Sequence, residues 1–469
     1  MVETILPGTY ITVRDEGLIS AGNIASGIIG VVGTAAKGEV NKVYILSSIA
    51  EAQEIFGDSH EWQEGNQNNL TLIRALELIY NNGGQQVYAV RTANEESLKN
   101  ASYSLKCDKN TLVVFTAKKT PGSLGNSIKI TISDGENTTD NKSTKIIEFS
   151  LGKLQEKYSL VAGGLKSFVN EVNNKSQIVT ADKKVADSSE LLPNKSTLPE
   201  SFAEGSDGAD AGAVEYAKSL EKLENEIINI IVLAGQTVNN GSEILAAHLK
   251  KTAEIQRERI GIIGSGEEAL DEIAETTNTL NNDRLIFTAP GIEVANRNRG
   301  IDSLPGAYTA AAVAGLIASL PVQASPTNKT LTIKGITSIF NSSQLTKLVQ
   351  NRVLVIEKRD GFRIVKGITT NDAAWKQITT RRTVDYAIYG VRSACNPYIG
   401  RLNNERVRGA MKATLNGFLT RMVDDEALVG YTLEVAATRK QEIEGIVAVT
   451  MTLQPTFSID FIKVTMYLS

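Results

Sequence analysis

Ile227-Ile228-Asn229-Ile230-Ile231-Val232-Leu233-Ala234, Ile260-Gly261-Ile262-Ile263 and Arg284-Leu285-Ile286-Phe287-Thr288-Ala289 are three short, mostly apolar runs separated by stretches of helical periodicity over 242–259 and 267–280. Runs of this length without polar alternation read as strands buried on both faces. Strands alternating with helices imply a parallel sheet with right-handed crossovers, and a helix over 211–223 leads into the first strand. This segment fixes the core as α/β.

Working outward toward the N-terminus, the same texture returns. Strands are expected over 24–32, 43–46 and 86–91, with helices over 48–56, stopped by Gly57, and over 70–80, ending at Asn81-Asn82-Gly83-Gly84. Between 92 and 204 the pattern changes to short strands over 112–117, 128–133 and 146–150, split by Pro121-Gly122-Ser123 and Asp134-Gly135-Glu136-Asn137. Turn chemistry at that density marks a β-rich inserted domain. Gly205-Ser206-Asp207-Gly208 is the turn that returns the chain to the core.

Toward the C-terminus, residues 303–328 carry no formal charge, but Pro305 and Pro321 enclose only fifteen residues. That is short of the roughly 20 needed to cross a bilayer, so the Ala-rich segment reads as a buried helix. Residues 346–445 are α+β in character: a strand over 352–357, a turn at Gly361, a partner strand over 363–367, and helices over 375–391 and 402–423. In the last helix Met411, Leu415, Phe418 and Met422 recur at core spacing, while Arg401, Glu405, Arg408 and Lys412 form an outward stripe.

The final stretch, 446–469, reads as a hairpin. Val447, Val449, Met451 and Leu453 alternate with Ala448, Thr450 and Thr452; after Gln454-Pro455-Thr456, Ile462, Val464, Met466 and Leu468 alternate with Phe461, Lys463, Thr465 and Tyr467. An isolated hairpin with an open apolar edge invites another chain to pair with it. Near the N-terminus, Tyr10, Ile11 and Val13 lie in a matching extended run opened by Pro7-Gly8. Extended runs at both termini suggest arms that add strands to neighbouring chains, the alternative being that each terminus folds back onto its own domain. The expected division is an arm over 1–25, core over 26–91 and 205–345, insert over 92–204, C-terminal domain over 346–445 and a second arm over 446–469. The fold class is thus a multidomain α/β and α+β protein.

Composition narrows the function. The chain has 469 residues, 42% of them hydrophobic and 22% charged, with only two cysteines. Cys107 and Cys395 have no CxxC spacing, which argues against a disulfide framework or zinc site, and no secretory leader is expected at Met1. Between 346 and 422, fifteen Lys and Arg stand against five Asp and Glu, a net of +10; the whole chain is −4, so the rest carries −14. Aromatic residues do not interleave with these cations, so an acidic protein partner fits better than nucleic acid.

Enzymatic readings find little support. Only His60 and His248 are present, neither in a nucleophile-elbow or metal-helix context, and His248 reads as a partly exposed helix residue. Gly261-Ile262-Ile263-Gly264-Ser265-Gly266 follows a strand and opens a helix, a place that favours anions, yet its spacing is neither that of a dinucleotide fingerprint nor that of a P-loop. A soluble α/β nucleotide- or anion-binding enzyme using this loop is the alternative reading.

The chain resembles the sheath proteins of contractile phage tails and phage-tail-like bacteriocins. The residues that carry the likeness are Pro7-Gly8-Thr9-Tyr10, Gly27-Ile28-Ile29-Gly30-Val31-Val32-Gly33, Gly205-Ser206-Asp207-Gly208, Arg363-Ile364-Val365-Lys366-Gly367, Ala427-Leu428-Val429-Gly430 and Pro455-Thr456-Phe457-Ser458-Ile459-Asp460-Phe461-Ile462. The resemblance implies a structural subunit without cofactor or catalytic residues. Such a subunit polymerises as six-fold rings around an inner tail tube and contracts from an extended to a contracted lattice. Its implied partners are other copies of itself, the tube, baseplate and tail terminator proteins, with no nucleic acid and no membrane insertion. Its implied place is a virion tail or phage-tail-like particle assembled in the bacterial cytoplasm. The arms would weave subunits together, and Arg401, Arg408 and Lys412 would contact acidic residues of the tube.

Overall fold

The computed structural model describes residues 25–57, 70–118, 122–136, 142–186, 190–196, 198–295 and 300–467. The first core segment contains β1 (Ile29–Thr34), β2 (Val43–Leu46), α1 (Ile49–Phe56), α2 (Leu72–Asn81) and β3 (Val87–Thr92). Helix α1 starts where expected because the Ser48 side chain accepts from the Glu51 amide, and it stops at Gly57, whose φ is 95°.

The insert follows with β4 (Leu98–Lys99), β5 (Ser102–Cys107), β6 (Asn110–Ala117), β7 (Lys129–Asp134), β8 (Thr144–Leu151), β9 (Leu154–Val161), α3 (Leu165–Lys175), β10 (Val179–Lys183) and β11 (Glu200–Ser201). Its two sheets, ordered β10-β6-β5 and β11-β7-β8-β9, enclose a separate core around Phe115, Phe149 and Phe168. The chain returns through β12 (Ser206–Asp207), where the Asp207 carboxylate accepts from the Ser123 amide at 2.9 Å and from the Ser123 hydroxyl. The second core segment comprises α4 (Ala213–Glu221), β13 (Ile230–Thr237), α5 (Val238–Glu254), β14 (Ile260–Gly264), α6 (Leu270–Thr276), β15 (Leu285–Ala289), β16 (Ile292–Ala295), β17 (Ile301–Leu304), α7 (Gly306–Ser319), β18 (Thr330–Leu331), β19 (Gly335–Ile336), α8 (Ser342–Gln350), β20 (Leu354–Lys358) and β21 (Phe362–Ile364).

The core sheet has nine strands in the order β18-β21-β20-β15-β14-β13-β1-β3-β2. The six from β20 to β3 run parallel, and the strands at the two edges are joined through antiparallel pairs, β20–β21, β21–β18 and β3–β2. The apolar runs are continuous because both faces are covered. Along β13, Ile230 and Val232 pack with α2 and α7 residues, whereas Ile231 and Leu233 pack with residues of α4 and α5. Helix α7 is buried nearly all round, as its Ala-rich composition allows. Among the described residues no helix is long and apolar enough to cross a membrane.

The C-terminal domain contains α9 (Ile378–Cys395), α10 (Glu405–Asp424), β22 (Leu428–Ala436), α11 (Arg439–Ile443) and β23 (Ala448–Pro455). Met411, Leu415, Phe418 and Met422 face its core, as their spacing predicts. Two expectations need correction. The hairpin β20–β21 belongs to the core sheet, so the C-terminal domain begins near residue 370 rather than at 346. Pairing with β15 supplies the long-range reason: a short hairpin gains stability from an existing sheet edge. The second correction is that, among the described residues, 446–467 do not form a hairpin with themselves. Strand β23 pairs antiparallel with β22, with α11 in the connection.

Candidate assembly surface

Strands β22 and β23 form a two-stranded sheet whose outer edges are unpaired among the described residues. Tyr431, Leu433 and Val435 lie opposite Leu453, Met451 and Val449 on one face. Except for Met451, these residues and Val447 pack against the core made by α9 and α10. Met451 and Leu453 border an apolar groove of about 310 Å³ with Val384, Ile388, Val391 and Cys395. Thr432, Glu434, Thr450 and Thr452 occupy the opposite, exposed face. Val447 and Val449, expected as inter-subunit contacts, therefore help hold their own domain together.

After β23 the chain has no strand partner among the described residues over 456–467. Its first part is tied down. The Thr456 amide donates to the Ala427 carbonyl at 3.2 Å, and Lys366 lies 3.2 Å from the Asp460 carboxylate and 5.3 Å from the Phe461 ring centre. Beyond that anchor the alternating apolar residues stand in solvent, Ile462 at 83%, Val464 at 74% and Met466 at 84% exposure. Large aliphatic side chains left open in succession mark an interaction segment. Tyr10, Ile11, Val13 and Leu468 lie outside the described residues.

Three arginines of the cationic stretch 346–422, Arg381, Arg382 and Arg392, reach across the joint between the C-terminal domain and the core. Arg392 grips Glu258 at 2.8 and 3.1 Å. Arg381 bridges Asp283 at 2.9 Å and Asp385 at 2.7 Å, and Arg284 reaches across from the core to the same Asp385 at 2.7 and 3.0 Å. Burial works against ionisation of Glu258, but its bonds to Arg392 prevail and hold it below the ordinary carboxylate range. Arg408, expected to point outward, instead donates to Asn403 at 2.8 Å and to Glu442 at 3.0 Å, bracing the turn around α11. Arg401 and Lys412 are exposed; Arg401 also stacks 5.8 Å from the Tyr398 ring centre. Sequence reasoning missed Arg439 and Lys440, exposed on α11, because their helix is only five residues long and lies within a segment expected to be a plain connection.

The loop of the alternative reading is filled by the protein itself. A Cβ at Gly264 would lie 1.8 Å from the Gly306 carbonyl oxygen, so the strand end abuts the start of α7. The Ser265 amide donates to Thr288 and the Glu267 amide to the Ser265 hydroxyl, leaving these donors engaged. His248 is buried at 4% exposure, not partly exposed as expected, and its Nε2 faces Arg259 Nη1 at 3.3 Å. Burial and the neighbouring Arg259 and Lys251 charges push its pKa down to about 3, so it stays neutral. Amphipathicity alone could not distinguish this satisfied interior histidine from a boundary one. Among the described residues no group of His, Cys, Asp and Glu has the arrangement of a metal site. His60 lies outside them.

Two curated relatives match part of the chain. The tail sheath proteins of Bacillus phage SP01 and Staphylococcus phage Twort are each 25% identical to it, over 228 and 230 residues. The matches cover 46% and 47% of this chain but 39% of each of those proteins. In fold, the sheath tail protein of Desulfitobacterium hafniense has a TM-score of 0.63 at 15% identity, covering 96% of this chain and 100% of that one. The anti-feeding prophage helical sheath in its contracted state has a TM-score of 0.55 at 15% identity, with 99% of each chain covered. Two family models fit end to end, the phage tail sheath protein central domain over 209–370 and the phage tail sheath C-terminal domain over 370–469. Together they span more than half of the sequence, and the chain belongs to the phage tail sheath family, whose members are structural proteins and not enzymes.

Proposed function

We propose that this chain polymerises as stacked six-fold rings around an inner tail tube and contracts from an extended to a more stable contracted lattice. That contraction drives the tube through the target envelope. The particle is a virion tail or a phage-tail-like particle assembled in the bacterial cytoplasm, with baseplate and tail terminator proteins as further partners. The observation that carries this reading is segment 462–467, whose Ile462, Val464 and Met466 are exposed and which, like the outer edges of the small sheet it leaves, has no strand partner among the described residues. A strand from another copy laid beside β23 would gain main-chain hydrogen bonds and cover the apolar groove formed by α9 with Met451 and Leu453. Ile462, Val464 and Met466, together with Tyr10, Ile11, Val13 and Leu468, are the side chains proposed for such contacts. Arg401 and Lys412 remain the proposed contacts to acidic groups of the tube.

Deleting residues 457–469 tests the reading. The expected product is a folded, soluble monomer with unchanged circular dichroism that no longer forms polymers, because β22 and β23 are complete without the tail. Polymers forming at the full-length concentration would refute the role given to the tail.

A further inference from the structure

The chain leaves its N-terminal segment and enters β1 through a cleft between the core sheet and α9. The residues there are held unusually firmly. The Asn229 side chain uses both ends of its amide, accepting from the Ile28 amide at 2.9 Å and donating to the Ala25 carbonyl at 3.0 Å. Arg382, on α9 and 5% exposed, donates to the Ser26 carbonyl at 3.1 Å and to the Leu320 and Pro321 carbonyls at 2.9 and 3.2 Å.

Arg382 has no carboxylate partner among the described residues. Asp385, one turn along the same helix, is taken by Arg284 and Arg381. Burial accordingly lowers the Arg382 pKa to about 10. Its charge is balanced by backbone carbonyls alone, two of them at the C-terminal end of α7, where the helix dipole favours a cation. A desolvated guanidinium held on carbonyls gives little stability compared with an apolar residue of the same size. A planar fork bridging three carbonyls gives direction instead, since its donors are fixed relative to one another.

We propose that Arg382 and Asn229 form a clamp that pins the chain at Ala25 and Ser26 against the core, giving the proposed inter-subunit arm a fixed root in each subunit. The clamp joins four parts at one point: the arm root at Ser26, the sheet through Asn229, the end of α7, and the C-terminal domain through α9. A segment whose root is already fixed has less ordering to undergo when it pairs with a neighbour. Arg382 is thus a positioning residue, and the proposal rests on the reading of residues 1–25 as an inter-subunit arm.

The test uses the full chain with Cys107→Ser and Cys395→Ser, and nitroxide labels at Ala25→Cys and Glu243→Cys, both exposed positions. Pulsed dipolar spectroscopy reads the distance distribution in the monomer, and sedimentation reads the polymer fraction. R382Q and N229A are expected to broaden the distribution at least twofold and to lower the polymer fraction about tenfold, while R382K restores part of both. R284Q, which cuts the neighbouring ion pair without touching the arm root, is expected to lower Tm and leave the distribution narrow. An unbroadened distribution in R382Q, or a polymer defect in R382Q no larger than that of R284Q at equal loss of Tm, would overturn the clamp. Deletion of residues 2–24 separates the two claims: normal polymers from that deletion would sink the arm reading, whereas the distance distribution judges the clamp on its own.

Discussion

Asp385 is the carboxylate on which the joint between core and C-terminal domain turns. Its two oxygens accept three charged hydrogen bonds, two from Arg284 and one from Arg381, and both arginines are nearly buried. Asp385→Ala removes the partner and leaves two desolvated guanidiniums, one of which keeps Asp283. Breaking a buried pair from one side costs about 3–5 kcal/mol, against about 0–1 kcal/mol for an exposed pair. Trp375 is a local reporter, because the Arg381 guanidinium lies 4.4 Å from its ring centre. In a Trp62→Phe background, urea unfolding followed by Trp375 fluorescence should shift its midpoint down by at least about 1 M, taking an m-value of about 1–3 kcal/mol per M. Adding Arg284→Met should recover part of the loss, giving a coupling of about 1–3 kcal/mol. A single-mutant shift below about 0.3 M would mean that water screens the site, and the account of the joint would be wrong.

Other consequences are more compact. With His248 held neutral by burial, the unfolded chain takes up a proton that the folded one refuses between pH 6.5 and about 3. Stability should therefore fall on acidification below pH 6.5, approaching about 1.4 kcal/mol per pH unit, and H248Q in a His60→Gln background should flatten the slope between pH 6 and 5. An unchanged slope in denaturation curves would contradict this. Gly390→Ala would place a Cβ 1.9 Å from the Phe418 ring, where α9 crosses α10, and should cost about 1–3 kcal/mol in thermal melts. Gly417→Ala, with open space around it, should gain about 0.5–1 kcal/mol from helix propensity, so equal effects of the two would refute the packing argument. R401E with K412E should leave contracted polymers intact while preventing extended sheath from forming on tubes; normal co-assembly seen by electron microscopy would remove these residues from the tube surface.

The core was legible because its signals are local and redundant. Apolar runs such as 230–233 have both faces covered, and caps such as Ser48 and Gly57 mark helix ends within a residue. Period-two patterning around 447–453 also gave the right strand, but it could not name the partner. Antiparallel pairing of β23 with β22 skips an eleven-residue connection holding α11, and nothing in alternation says whether the next strand or the previous one is chosen. The cationic count of 346–422 was correct as a sum and misleading as a surface. Most of those arginines find carboxylates or carbonyls far away in sequence, such as Glu258 for Arg392, which only the tertiary structure brings near. Residues 352–367 were placed in the wrong domain for the same reason, since a hairpin carries no label for the sheet it joins.

Negative-stain electron microscopy of the purified full-length chain over a range of concentrations tests the central claim most directly. Self-assembly through the exposed C-terminal segment predicts hollow, striated cylinders with six-fold end views that lengthen as concentration rises. Discrete particles of single-subunit size at every concentration would contradict it, because an arm that needs a neighbour's sheet would then have found its partner within its own chain.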